Sequence, residues 1–195
     1  MSVFGVKAMA LNMLAEWRRA METPQPRSGQ VQANRSWHKP PSGWVKINVD
    51  AACTLGQGVI GVSCVVRDDA GHFVRARSNV MRGSFHPRVA EALSLKEALY
   101  WTKEWRTSKF IFESNAKLLV EAVQGTRGTS YFDTIAENCS ELLKHFDEVL
   151  LVFNHRSANQ VARVLARAAC SMSGLQEWIS TAPDLIACNL AFDDI

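Results

Sequence analysis

The sequence predicts an α/β fold: a mixed five-stranded sheet, three antiparallel strands followed by two α-linked strands, flanked by helices. Three observations carry that reading. Three strand-like runs follow one another through short turns before any helical pattern begins. Two short apolar runs, residues 109–113 and 149–153, then alternate with stretches of helical periodicity. The first connections are hairpins and no GxGxxG follows the first strand, which disfavours a doubly wound dinucleotide fold.

In residues 44–50, Val45, Ile47 and Val49 alternate with Lys46, Asn48 and Asp50, so the two sets take opposite faces of a sheet. A turn through Gly56, Gln57 and Gly58 feeds residues 59–66, a nearly continuous apolar run suited to a central strand. Asp68, Asp69, Ala70 and Gly71 make the next turn, with Gly71 suited to a positive φ, and residues 72–78 alternate again. Pro87 stands where a helix would open. A helix over 88–106 then puts Glu91, Leu95, Ala98 and Thr102 on one face. An acid on that face points inward and needs a partner or a metal. Equally, Glu91 sits near the helix start, where the dipole favours an acid. A strand over 109–113, helices over 116–124 and 131–145, a strand over 149–153 and a helix over 159–173 complete the order. In the last helix, Val161, Val164, Leu165, Ala168 and Met172 read as the core stripe, with Asn159 and Arg163 on the opposite side.

The chain divides into an N-terminal helix and polar linker (1–43), the α/β domain (44–173) and a C-terminal tail without periodicity (174–195). Trp37 and Trp44 bracket the end of the linker and are placed to pin it to the domain. The net charge of +3 is uneven: residues 1–43 hold six Lys/Arg against two acids, and the remainder 16 against 17. A domain so near neutrality is no strongly basic nucleic-acid binder, so phosphate contact has to come from a local patch. Arg75, Arg77, Arg82 and Arg88 form one such cluster, whose default reading is a solvated face. Trp101 and Trp105 read as packing residues and His86 as a loop residue. The five cysteines include no CxxC pair and no metal-ligand spacing. No apolar run reaches the roughly 18 residues of a membrane span. A reduced, intracellular monomer, nuclear or cytoplasmic and without a membrane partner, is expected; the amphipathic first 20 residues point only weakly to organelle targeting.

Five strings then stand in a telling order: WVKINVDAA, RDDAGHFV, AEALSLKEAL, FESNAKLLV and HRSANQVARVLARAA. Together with HKPPSGW at the lead-in, they resemble the type-1 ribonuclease H domain, most of all its plant retroelement-derived, reverse-transcriptase-like subfamily. The resemblance covers about residues 37–172. It implies the ribonuclease H fold and hydrolysis of the RNA strand of an RNA–DNA hybrid by two Mg²⁺ ions held by four acids. Matched motif by motif, the first acid is Asp50 and the second is Glu91. The third position holds Asn115 and the fourth Arg163. The family's proton-shuttling histidine falls at Phe153, with His155 two residues on.

The resemblance therefore implies a formal site charge of −1 at these four positions, where four acids would give −4. Glu113 shares a strand face with Asn115 but lies about 6.6 Å back along the strand, a poor substitute. Hydrolysis is expected to be lost or badly impaired and two-ion binding to fail. Hybrid binding is expected to persist through Gln57, Asn115, Arg156, Asn159 and Arg163, the arginines standing in for metal as phosphate neutralisers. Two other readings stand beside it. An active Mg²⁺-dependent hybrid endoribonuclease would cut and lose cutting with Asp50→Asn, whereas a retroelement remnant serving as a protein-interaction domain would bind no hybrid at any salt.

Overall fold

The structure, a computed structural model, describes residues 36–54, 58–105, 109–125 and 128–193. Gln57, the expected N-terminal helix and the linker before residue 36 lie outside the described residues. The first three strands are β1 (Val45–Thr54), β2 (Val59–Arg67) and β3 (Phe73–Arg82), antiparallel in sequence. They are followed by α1 (Pro87–Thr102), β4 (Lys109–Ser114), α2 (Lys117–Gln124), α3 (Tyr131–Leu143) and β5 (Glu148–Phe153). A 3₁₀ turn (Arg156–Asn159) runs into α4 (Gln160–Ala169). Gly71 closes its turn at φ 93°, in the region a side chain disfavours. His86 is more than a loop residue: it N-caps α1, its Nδ1 accepting from the Arg88 N–H at 3.3 Å, with Pro87 behind it. Helix α3 opens on a capping box between Ser130 and Asp133.

Among the described residues the sheet has six strands, in the order β5-β4-β1-β2-β3-β6, not the five the sequence predicts. The sixth comes from the expected tail. Gln176–Ile179 forms β6, antiparallel to β3 from Arg75 to Ser78, and Asp184–Asp193 forms α5. Four residues are too few to show a period of two. What docks the segment is Ile186, fully buried among Val65, Ala76, Val161, Ala162 and Leu165.

Parity decides which face each strand residue serves. Ile47 and Val49 join Phe110, Phe112, Leu95, Leu99 and Ile135 in the larger core, beneath α1 and α3. On the opposite face α4 lies against β1 and β2. It packs with alanines: the buried side is Val161, Ala162, Leu165, Ala166 and Ala169. This corrects the expected stripe, from which Val164, Ala168 and Met172 are only half-buried. Small residues win because the helix backbone comes down onto Gly61, where an added Cβ would stand 2.1 Å from the Ala166 carbonyl oxygen. Gly61→Ala must therefore push α4 away and is expected to destabilise the fold by about 1–3 kcal/mol in a urea melt.

What α4 leaves uncovered is closed by residues 36–44. Trp37 is buried, its Nε1 donating to Asn48 Oδ1 at 3.0 Å, and the Arg67 guanidinium stacks 3.4 Å over its ring. Lys46 Nζ donates to the His38 carbonyl at 2.5 Å and pairs with Glu113 Oε1 at 2.7 Å. Trp44 packs on Ile111, Val152 and Leu150. The end of the linker is thus part of the domain.

Candidate functional site

Strand β1 is longer than expected. It pairs with β2 through Thr54, so Asp50 stands opposite Ser63 inside an antiparallel ladder. Its parallel pairing with β4 stops one residue earlier, at Val49 and Ser114. Asp50 thereby emerges at the rim where the parallel strands end, on the face that carries Lys46 and Asn48. Ser94, three residues after Glu91 on α1, holds the backbone there. Its Oγ reaches the Asp50 carbonyl oxygen at 2.7 Å and the Ser63 carbonyl oxygen at 3.0 Å. A hydroxyl inside an apolar helical stripe was the only sequence signal for this residue.

Asp50 and Glu91 form an interacting acid pair. Burial pushes Asp50 up to about 7, against the opposing pull of Arg156, Arg163, a hydrogen bond from Asn159 and, more weakly, Arg167. Burial likewise pushes Glu91 up to about 8, with repulsion from Asp50 adding to it; a hydrogen bond from the Ala51 N–H and the charge of Arg156 pull the other way. Glu91 lies beyond the first turn of α1, which begins at Pro87, so the helix dipole does not account for it.

Asn159 does not project from the side opposite the core. Because the 3₁₀ turn ends at this residue, its phase differs from that of the helix proper, and it is almost fully buried. Its Nδ2 faces the Val49 carbonyl at 2.8 Å, Asn115 Oδ1 at 3.2 Å and Asp50 Oδ1 at 3.5 Å. It brackets β1, the end of β4 and α4 together. Arg163 is half-buried beside Asp50, its Nη1 donating to Gln160 Oε1 at 3.1 Å, while Arg156 is exposed. Arg167, one helical turn beyond Arg163, was missed in the sequence and belongs to the same positive field.

The structure thus brings together Asp50, Glu91, Asn115, Arg156, Asn159 and Arg163. Glu113 is committed elsewhere, to Lys46, Asn48 and Asn154. Three buried polar atoms at the site lack a hydrogen-bond partner: Glu91 Oε2, Asn159 Oδ1 and Arg163 Nε. Among the described residues no group of three or more His, Cys, Asp or Glu is arranged to hold a metal ion. Trp101 and Trp105 meet edge to face at 4.9 Å, with Arg77 and Arg75 lying over their rings at 5.6 and 4.9 Å. Arg88 lies over the Phe132 ring at 5.9 Å, so three of the four arginines in the expected basic cluster are engaged with aromatic rings.

Comparison with known proteins places this geometry. Residues 48–169 match the reverse transcriptase-like family. The chain belongs to that family. An Arabidopsis thaliana relative, provisionally named a ribonuclease H protein, is 28% identical over 173 residues; the match spans 88% of this chain but only 27% of the relative. Ribonuclease H1 of the halophilic archaeon Halobacterium salinarum superposes with a TM-score of 0.60 at 22% identity, over 66% of this chain and 98% of that one. A ribonuclease H1 solved in complex with an RNA/DNA hybrid superposes with a TM-score of 0.55 at 16% identity, over 65% and 96%. At these identities the solved structures bear on the fold alone, and that fold is the ribonuclease H fold. In this member of the reverse transcriptase-like family, an edge strand and a helix follow residue 169, where the family match ends.

Proposed function

We propose that the chain binds an RNA–DNA hybrid at the rim formed by β1, β4 and α4, and that two-metal hydrolysis is lost there. The observation that carries this reading is the makeup of the four acid positions: two carboxylates, a neutral amide at Asn115 and a guanidinium at Arg163. Mg²⁺ prefers several oxygen ligands, and two ions about 4 Å apart need a strongly anionic cradle. Asp50 and Glu91 face Arg156, Arg163 and Arg167 instead, and Asn115 Oδ1 already accepts from Asn159. That donor set does not fit a two-ion centre. Guanidinium groups at the same rim suit phosphate, which they neutralise and hold through paired hydrogen bonds. The fold, and the hybrid-bound relative that shares it, support the class of partner.

In a gel-shift and cleavage assay the hybrid is expected to shift and to remain uncut in Mg²⁺ and in Mn²⁺, with binding unaffected by chelator. If three phosphates are neutralised, affinity falls about 40-fold between 50 and 200 mM salt, and Arg156→Ala and Arg163→Ala each lower the salt slope by about one. Cleavage that vanishes in Asp50→Asn would sink the proposal. One observation favours that active reading: Glu91 Oε2 and Asn159 Oδ1 are buried acceptors without partners, an arrangement a single cation would satisfy. A hybrid neither cut nor shifted at any salt would move the weight to a protein-interaction remnant.

A further inference from the structure

Phe153 closes β5 after two buried residues, Leu151 and Val152, yet it is 37% exposed. Its ring meets that of His155 at 5.6 Å and 68°, and His155 is exposed as well. The pair leaves aromatic ring surface open to water. The loop that carries it is nevertheless held firmly. Asn154 N–H donates to the Ser114 carbonyl at 2.9 Å, and Asn154 Nδ2 to Glu113 Oε2 at 3.0 Å. His155 N–H donates to Asn154 Oδ1 at 2.8 Å, and Ala158 N–H to the His155 carbonyl at 2.9 Å.

Register places this pair with respect to the acids. Val49 of β1 stands beside Ser114 of β4, and Ser114 beside Phe153 of β5. Phe153 and Asp50 thus lie on the same rim, their backbones two strand spacings or about 10 Å apart, with Phe153 in phase with Val49 and its side chain turned to the other side of the sheet from Asp50. That is roughly three nucleotides at the duplex rise of about 3.4 Å per nucleotide. Arg156, whose charge reaches both Asp50 and Glu91, follows Phe153 by three residues and adjoins His155. Exposed aromatic faces beside guanidinium groups are what single-stranded nucleic acid requires, stacking for its bases and charge for its phosphates.

We propose that Phe153 and His155 form a stacking platform for an unpaired nucleobase, so that the chain prefers a hybrid carrying a single-stranded overhang to a blunt one. The inference rests on the hybrid-binding reading above and names the feature of the nucleic acid that its site selects. An apolar protein segment is the weaker fit, because Asn154 and Arg156 flank the rings with a polar amide and a guanidinium.

The test compares a blunt hybrid with the same hybrid bearing a short overhang that contains 2-aminopurine, titrated into the full chain. The overhang is expected to tighten binding by about 5- to 150-fold and to quench the fluorophore on stacking. Phe153→Ala and Phe153→Leu remove both effects, while Phe153→Trp restores them; a merely apolar contact would survive in Phe153→Leu. Equal affinity for the two hybrids, or a gain that persists in Phe153→Ala, overturns the inference and leaves hybrid binding standing. The 2-aminopurine strand alone, bound and quenched as strongly as the overhung hybrid, upholds the platform and overturns the hybrid-binding reading. Failure of both probes to bind overturns the two together.

Discussion

Glu113→Ala is expected to be the most damaging single change, costing about 3–5 kcal/mol in chemical denaturation. The Lys46–Glu113 pair lies beneath residues 36–44, both side chains almost wholly removed from water. Burial already holds Lys46 below its ordinary lysine value, even with Glu113 beside it. Without the carboxylate, the ammonium loses its counter-charge, and the side-chain amides of Asn48 and Asn154 lose their acceptor. Glu113→Gln keeps an acceptor oxygen and is expected to lose distinctly less. Urea melts of the two variants at neutral pH check this. Equal, small losses would mean that water enters the network and that the pair is not dry.

Asp50→Asn and Glu91→Gln are expected to act in the opposite direction, stabilising the protein above neutral pH. Both acids sit above their ordinary values of 3.8 and 4.5, Asp50 at about 7 and Glu91 at about 8. Folding therefore favours their protonated forms. Their contribution is fully present below pH ~4 and is lost as pH rises through the folded-state values, at up to about 1.4 kcal/mol per pH unit for each group. At pH 8 either amide should raise stability by roughly 2–4 kcal/mol, and near pH 4 the gain should vanish. Denaturant melts at both pH values read the difference. A gain independent of pH would attribute it to packing and not to charge.

How much of this was legible in the sequence depended on range. Asp50 and Glu91 were readable because one ends an alternating run and the other falls in phase with Leu95 and Ala98. The network around Lys46 was not. Alternation assigned Lys46 and Asn48 to the face away from the main core, and a charged residue there reads as solvated. The residues that bury it, Trp37 and Glu113, lie in distant or irregular segments. Asn159 was misplaced for a local reason, since a 3₁₀ turn shifts helical phase without any mark in composition. The alanine face of α4 was hidden as well, because only Gly61, on a strand far upstream, explains why small residues and not large ones turn inward. Strand β6 escaped notice because its four residues take their pairing from β3 and have no pattern of their own.

Because Trp37 and His38 cover Lys46, Asn48 and Arg67, the segment that must fold is longer than the segment that is shared. The family match runs from residue 48 to residue 169, whereas deep burial runs from Trp37 to Ile186. Descent and folding draw different borders on this chain. A fragment trimmed to the inherited border would keep Asp50, Glu91 and every other matched position. It would also discard Lys46 and the roof over Asn48 and Arg67, leaving Glu113 without its cation beside the amides of Asn48 and Asn154. The upstream tryptophan is thus as much a part of this domain as Asp50 and Glu91.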